Sequence, residues 1–196
     1  MEIWGQQISI TELFGSLFGI IGVWLTVKKN SWCFPTGIVN VGLYGVLFFR
    51  ERLYADAILQ VFYLVLLVYG WIQWNKTVQQ KEFSATMIEK PFWLVLAIIC
   101  IGSTILIGTI FKTYTDASLP YLDSLLTSMS FIAQWMVAKK KLENWLVWIV
   151  ADIVYIGMYA YKNLYLTAGL YFIFILLAIR GYQEWKKKLV VNGSAG

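Results

Sequence analysis

The sequence has no histidine, two cysteines and three prolines, and only 14% of its residues are charged. Without histidine it lacks the commonest metal ligand and the side chain best suited to acid–base chemistry near neutral pH. The charged fraction lies well below the roughly 25% that is typical of soluble domains. No metal-ligand cluster, phosphate-binding glycine loop or nucleophile–base pair stands out. We therefore expect neither an enzyme nor a bound metal or cofactor, and we expect a chain that is not water-soluble.

Apolar residues are abundant instead, at 59% of 196 residues, with a mean hydropathy of +0.65. They form seven long runs without polar alternation, which in lipid predicts helices and not barrel strands. Seven spans of about 20 residues use about 140, so little chain remains for a domain outside the membrane. The runs are Ile10–Val27, Trp32–Phe49, Tyr54–Trp74, Phe92–Phe111, Leu119–Val137, Trp145–Tyr161 and Tyr165–Trp185.

Lysine and arginine are distributed unequally between the two sides of this topology. One side has Arg50, Arg52, Lys112 and Lys162; the other carries eleven lysines, with Arg180 near it. Basic loops stay in the cytoplasm, which predicts an outside N-terminus and a cytoplasmic C-terminus. Because the lysines are spread over several short connections, we expect the lipid bilayer as their partner and no nucleic acid.

The two ends of the sequence superpose without a gap when one is shifted by 111 positions. The matched landmarks are Trp24 with Trp135, Tyr44 with Tyr155 and Trp74 with Trp185. Each helix moves four places, so the halves are predicted to be parallel repeats in a 3+1+3 arrangement. Such repeats are typical of transporters that bind substrate between the halves near the midplane, although a duplication serving stability alone is the alternative. The predicted divisions are a repeat at 10–76, a linker helix at 92–111, a repeat at 119–187 and a tail at 188–196.

The sixth run carries a stripe of polar and aromatic residues on one helix face. Trp145, Trp148, Asp152, Tyr155 and Tyr159 are spaced 3, 4, 3 and 4. Asp152 lies about 10 Å from the helix start, where burying a carboxylate costs about 2.5–3.5 kcal/mol. It therefore needs a partner, a water-filled cavity or a bound proton. The functional interpretation is a substrate or proton site, and the structural alternative is a hydrogen bond to a neighbouring helix.

The first half offers related residues. Asn40 is predicted level with Asp152 and, with Tyr44, to bind substrate, whereas Gln60 is either a ligand or a contact between helices. Phe48, Tyr159, Trp24 and Trp135 are candidates for a cavity lining or gate, and the two tryptophans could equally form an interfacial belt. The predicted substrate-binding set is Trp148, Asp152, Asn40, Gln60, Tyr44, Tyr155 and Trp145. A pocket of aromatic rings, amides and one carboxylate suits a small, polar, aromatic and cationic solute.

Several of these segments resemble the PnuC-type vitamin transporters. The resemblance is carried by Trp32 through Pro35 to Asn40 and Tyr44, by Leu53-Tyr54-Ala55-Asp56 with Gln60, by Trp148-x-x-x-Asp152 and by Leu164-Tyr165 through Gly181 to Trp185. It implies a carrier of the bacterial inner membrane, built of two SWEET-type three-helix units joined by an extra helix. It also implies facilitated diffusion of nicotinamide riboside, which a cytoplasmic kinase traps by phosphorylation.

The family's Trp-x-x-x-Asn motif falls on Trp148 and Asp152, so an aspartate replaces the asparagine. This departure leaves thiamine open as a substrate, because nicotinamide riboside and thiamine both carry a cationic ring that an ionised Asp152 could face. The family's Asn and Gln positions of the first half fall on Asn40 and Gln60. Proton coupling through Asp152 or Glu12, a receptor without transport, and a homo-oligomer are further alternatives.

Overall fold

The computed structural model consists of long helices and very short strands. It describes residues 2–3, 6–7, 10–50, 54–76, 83–115, 118–161 and 163–189. The helices are α1 (Ile10–Val27), α2 (Cys33–Arg50), α3 (Tyr54–Lys76), α4 (Lys90–Tyr114), α5 (Pro120–Ala138), α6 (Asn144–Tyr161) and α7 (Tyr165–Lys186). Two strands, β1 (Glu2–Ile3) and β2 (Gln6–Gln7), pair antiparallel ahead of α1.

Each of the seven predicted runs forms one helix, which confirms the all-helical class. In the described chain, α2, α3, α4, α6 and α7 are each long and apolar enough to cross a membrane. α4 begins two residues before the predicted run and ends three residues after it. Pro91 stands in its first turn, where the missing N–H costs no helical hydrogen bond, so the helix can start on the polar side of Phe92.

Residues 1–81 form one compact unit, in which α1 packs on α2 and α2 packs on α3. Phe34 and Trp74 meet edge to face, with ring centroids 5.1 Å apart at 83°. Gly70 leaves room for this pair, because a Cβ atom there would lie within 3 Å of the Phe34 ring. An edge-to-face contact sets the positive rim of one ring on the negative face of the other, so it locks α2 against α3.

Residues 82–196 form a second compact unit, in which α4 packs on α5, α5 on α6 and α6 on α7. Trp145 and Trp185 meet edge to face at 5.3 Å and 87°. The contact between α4 and α5 includes a hydrogen bond of 2.9 Å between the hydroxyls of Ser103 and Ser128. The predicted linker helix therefore packs with the helices that follow it in the chain.

The segment 83–89, which we call the pre-α4 segment, pairs with the turn between α5 and α6. The Thr86 N–H donates to the Lys140 carbonyl at 3.1 Å, and the Thr86 carbonyl accepts from the Leu142 N–H at 2.9 Å. The Ile88 N–H donates to Oε1 of buried Glu143 at 2.8 Å. These bonds satisfy backbone groups ahead of α4 and fix its start to the second unit.

The turns after α1 and α5 each place a lysine in the left-handed region, Lys29 at φ 60° and Lys140 at φ 56°. This conformation costs a residue with a Cβ atom roughly 1–2 kcal/mol, and glycine avoids that cost. We expect Lys29→Gly to raise the free energy of unfolding, because it removes this conformational cost. The gain should not exceed about 1 kcal/mol, because glycine loses more chain entropy on folding than lysine does. Thermal unfolding in detergent micelles measures the change. Lys28→Gly, one residue earlier at negative φ, should give no gain, and equal effects of the two changes would contradict the prediction.

Candidate substrate site

Asp152, the one carboxylate of the predicted stripe, is buried, with 2% of its surface exposed. It lies in the middle of α6, next to buried Ala151. Within the described part of the chain, no backbone or side-chain group forms a hydrogen bond or ion pair with its carboxyl group. The protein therefore buries this group without the compensating contact that a purely structural carboxylate would have.

Trp148 and Tyr155 lie on the same face of α6 as Asp152, four residues before it and three residues after it. Both side chains are half-buried. Tyr159 continues the face by one more turn, and its ring centroid lies 5.9 Å from that of Tyr155 with planes 17° apart. The described part of the second unit thus carries a carboxylate between half-buried aromatic rings, an arrangement suited to a flat cationic ligand.

Tyr171 of α7 is an aromatic neighbour that the sequence did not single out. Its ring centroid lies 4.5 Å from Tyr155 and 5.3 Å from Tyr159, with planes 26° and 20° apart. Phe174 meets Tyr171 edge to face at 5.8 Å. The internal repeat could have identified Tyr171 from the sequence, because a shift of 111 matches it with Gln60, a predicted ligand.

Trp145, predicted to bind substrate, is only 2% exposed and lies inside the packing between α6 and α7. Its ring faces Trp185 and fills the space above Gly181, where a Cβ atom would lie 2.5 Å away. Its indole N–H has no hydrogen-bond partner within the described residues. In this structure Trp145 contacts neighbouring helices, while Trp148, one turn further along, is less buried.

In the first unit, the predicted ligands also contact neighbouring helices. The Asn40 side-chain N–H donates to the Gly15 carbonyl at 2.6 Å, which uses one of its two amide hydrogens. The Tyr44 hydroxyl lies 3.3 Å from the Ser16 hydroxyl, and its ring covers Gly15. Asn40 and Tyr44 thus hold α2 against α1. The second amide hydrogen and the amide oxygen of Asn40 are the groups that a ligand could bind.

Phe48 and Gln60, the other candidates of the first unit, lie on α2 and α3. Phe48 lies one turn beyond Tyr44, with ring centroids 5.8 Å apart and ring planes tilted by 31°. Gln60 of α3 approaches Gly45 of α2, where an added Cβ atom would lie 3.6 Å from the Gln60 Cβ atom. Its side chain is half-buried. The structure thus places Gln60 at the contact between α2 and α3.

Trp24 and Trp135, the matched pair, have different surroundings. Trp24 is 49% exposed, and the Lys28 ammonium lies 5.8 Å from its ring centroid. Trp135 is half-buried and stacks on Phe92 of α4 at 5.6 Å. The side chain of Glu12, the second residue considered for proton transfer, lies outside the described residues.

The model of the family described as nicotinamide mononucleotide transporter matches residues 9–187. The chain is 26% identical to the nicotinamide riboside transporter PnuC of Escherichia coli strain K12, over 97% of this chain and 90% of that protein. It is 26% identical to PnuC of Neisseria mucosa, over 86% and 69% of the two chains. The riboflavin/roseoflavin transporter RibM of Streptomyces davaonensis is 24% identical, over 93% and 87%.

Among solved structures, the chain is similar to the crystal structure of the vitamin B3 transporter PnuC. The TM-score is 0.71 at 23% identity, with 89% of this chain and 79% of that chain covered. This likeness agrees with the all-helical fold described above.

Proposed function

Because the chain belongs to the nicotinamide mononucleotide transporter family, a family of multi-pass proteins of the bacterial inner membrane, we propose that it carries nicotinamide riboside. Two of the relatives above are named for transport of this compound. The observation that carries the proposal is Asp152, a buried carboxylate without a partner in the described chain, on the same helix face as Trp148. By the resemblance to the PnuC-type transporters, that pair corresponds to the positions of the family's Trp-x-x-x-Asn motif.

The pyridinium ring of nicotinamide riboside is flat and positively charged. We propose that Trp148 stacks on this ring and that an ionised Asp152 faces its charge, because both contacts gain strength away from water. Tyr155 extends the aromatic surface on the same face. In the first unit, Asn40 and Gln60 offer amide groups of the kind that hydrogen-bond ribose hydroxyls. The chain needs no catalytic residue for this role.

Two other vitamins are candidates on specific observations. Aspartate in place of the family's asparagine favours a cationic ring in general, which includes the thiazolium of thiamine. The similarity to RibM, at 24% identity, raises riboflavin, whose ring is larger and neutral. A carboxylate at the ring gives a neutral flavin no electrostatic gain, so we rank riboflavin below the two cations.

Binding titrations of the purified protein with nicotinamide riboside, nicotinamide, thiamine and riboflavin test the substrate. We expect nicotinamide riboside to bind most tightly, and nicotinamide more weakly because it is neutral and lacks the ribose. Tightest binding of thiamine or riboflavin would replace the proposed substrate by that vitamin. Failure of all four ligands to bind would contradict a vitamin carrier.

We propose further that the fold is a 3+1+3 parallel repeat. Three internal matches at a shift of 111 support this. The edge-to-face pairs Phe34–Trp74 and Trp145–Trp185 correspond, Gly70 and Gly181 make room for them, and Lys29 and Lys140 share a positive φ. We retain the divisions 10–76, 92–111 and 119–187, with the tail from 188. The lysine distribution supports an outside N-terminus and a cytoplasmic C-terminus.

The proposed mechanism is facilitated diffusion, with phosphorylation in the cytoplasm trapping the riboside. In liposomes containing the purified protein, the initial uptake rate should change by less than about twofold when a pH gradient is imposed. The reason is that a uniporter moves substrate down the substrate's own gradient, so a proton gradient does not drive it. Liposomes without protein are the control. Accumulation that requires an inward proton gradient would instead establish proton coupling, with Asp152 as the first residue to test.

A further inference from the structure

Three tyrosines of the second unit form what we call the tyrosine cluster: Tyr155 and Tyr159 of α6 and Tyr171 of α7. Their ring centroids define a triangle with sides of 4.5, 5.3 and 5.9 Å. The three planes lie within 26° of one another. All three side chains are half-buried, so each ring keeps part of its surface accessible.

This orientation differs from that of the tryptophan pairs. Trp145 and Trp185 meet at 87°, and Phe83 meets Trp185 at 62°. An edge-to-face pair satisfies the negative face of one ring with the positive rim of the other, whereas stacked, near-parallel rings cover each other's inner faces and direct their negative potential through the outer faces. A cation gains most when it lies over such faces, and it gains more where water is excluded. The tyrosine cluster is therefore electrostatically suited to a cationic ring.

The cluster lies beside the candidate carboxylate. Tyr155 and Tyr159 follow Asp152 by three and seven residues, which places all three on one face of α6. Tyr171 reaches the two α6 rings from α7 and is the centre of the two shortest ring contacts. At the shift of 111, Gln60 of the first unit matches Tyr171. The first unit therefore has an amide at the position where the second unit has an aromatic ring.

From these observations we infer that Tyr171, with Tyr155 and Tyr159, forms a π-faced binding site beside Asp152. The site makes the protein prefer a positively charged aromatic ring over a neutral one. The inference rests on the proposed function, since it needs a carried substrate with a cationic ring. Its specific content is that Tyr171 adds to the charge preference that Asp152 gives the carrier, through its ring face and not through its hydroxyl.

The test is to measure dissociation constants of purified variants for nicotinamide riboside and for its neutral dihydro form. Tyr171→Leu keeps an apolar side chain but removes the π face, so we expect about tenfold weaker binding of the cation. Binding of the neutral form should change by less than about twofold. Tyr171→Phe keeps the face and should stay within about twofold of the unchanged protein for both ligands.

Phe172→Leu is the matched control, because it removes a neighbouring ring of α7 that is 57% exposed. It should leave both constants unchanged. Three results would overturn the inference. Tyr171→Leu could lose equal affinity for the cation and for the neutral form, or lose none. Alternatively, Tyr171→Phe could lose as much affinity for the cation as Tyr171→Leu does. If Tyr171→Leu does not fold, a cation preference lost in Tyr171→Phe still overturns it. Failure of the unchanged protein to bind the riboside would instead remove the proposed function.

Discussion

Replacing Asp152 with alanine is expected to weaken nicotinamide riboside binding by about 30- to 150-fold, which corresponds to roughly 2–3 kcal/mol. The carboxylate is 2% exposed and has no partner in the described chain, so under the proposed function its charge is available to the pyridinium ring. Alanine removes both that attraction and the acceptor oxygens. Isothermal titration of the purified variant measures the loss directly.

Asp152→Asn separates the charge from the hydrogen bond. By the resemblance to the PnuC-type transporters, asparagine corresponds to this position, so we expect the variant to bind the riboside within about tenfold of the unchanged protein. It should bind the neutral dihydro form as tightly as the unchanged protein does. Asp123→Asn, in the first turn of α5, is the control and should change binding by less than about twofold. An Asp152→Ala variant with unchanged affinity would show that this carboxylate does not face the substrate.

Gly181→Ala is expected to lower the free energy of unfolding by about 1–3 kcal/mol. The added methyl group would lie 2.5 Å from the Trp145 ring, closer than two carbon atoms can approach. Trp145 cannot easily move aside, since it is almost fully buried and its ring packs against buried Trp185. We therefore expect α6 and α7 to separate slightly, with a lower midpoint of thermal unfolding in detergent.

Gly169→Ala is the matched control in the same helix. A Cβ atom at position 169 meets no neighbouring atom within 4 Å, and alanine favours the helix by roughly 1 kcal/mol over glycine. We expect this variant to be as stable as the unchanged protein or slightly more so. Equal destabilisation by the two changes would mean that loss of helix flexibility, and not contact with Trp145, explains the effect.

The helices were largely predictable because long apolar runs in lipid leave the backbone no other way to satisfy its hydrogen bonds. The run predicted at Ile10–Val27 has the same bounds as α1, and the others differ by a few residues at their ends. The exception in length is α4, whose first turn contains Pro91 and whose last turn contains Lys112. A prediction from hydropathy alone leaves such residues at the ends of a helix out of the predicted span.

Side-chain partners were less predictable, because helical spacing gives the face of a residue but not what the neighbouring helix presents to it. Trp145 and Trp148 share a face of α6, yet Gly181 lets Trp145 pack deeply against α7. Tyr171 lies in an apolar run with no polar stripe to mark it. The pre-α4 segment pairs with a turn more than 50 residues later in the chain, and no local pattern encodes such a contact.

The most direct test of the central proposal is uptake of labelled nicotinamide riboside by liposomes that contain only the purified protein. The account predicts protein-dependent uptake that levels off when the inside concentration equals the outside concentration, and strongly slower uptake with Asp152→Ala. Liposomes with the protein that take up no more riboside than empty liposomes would contradict it.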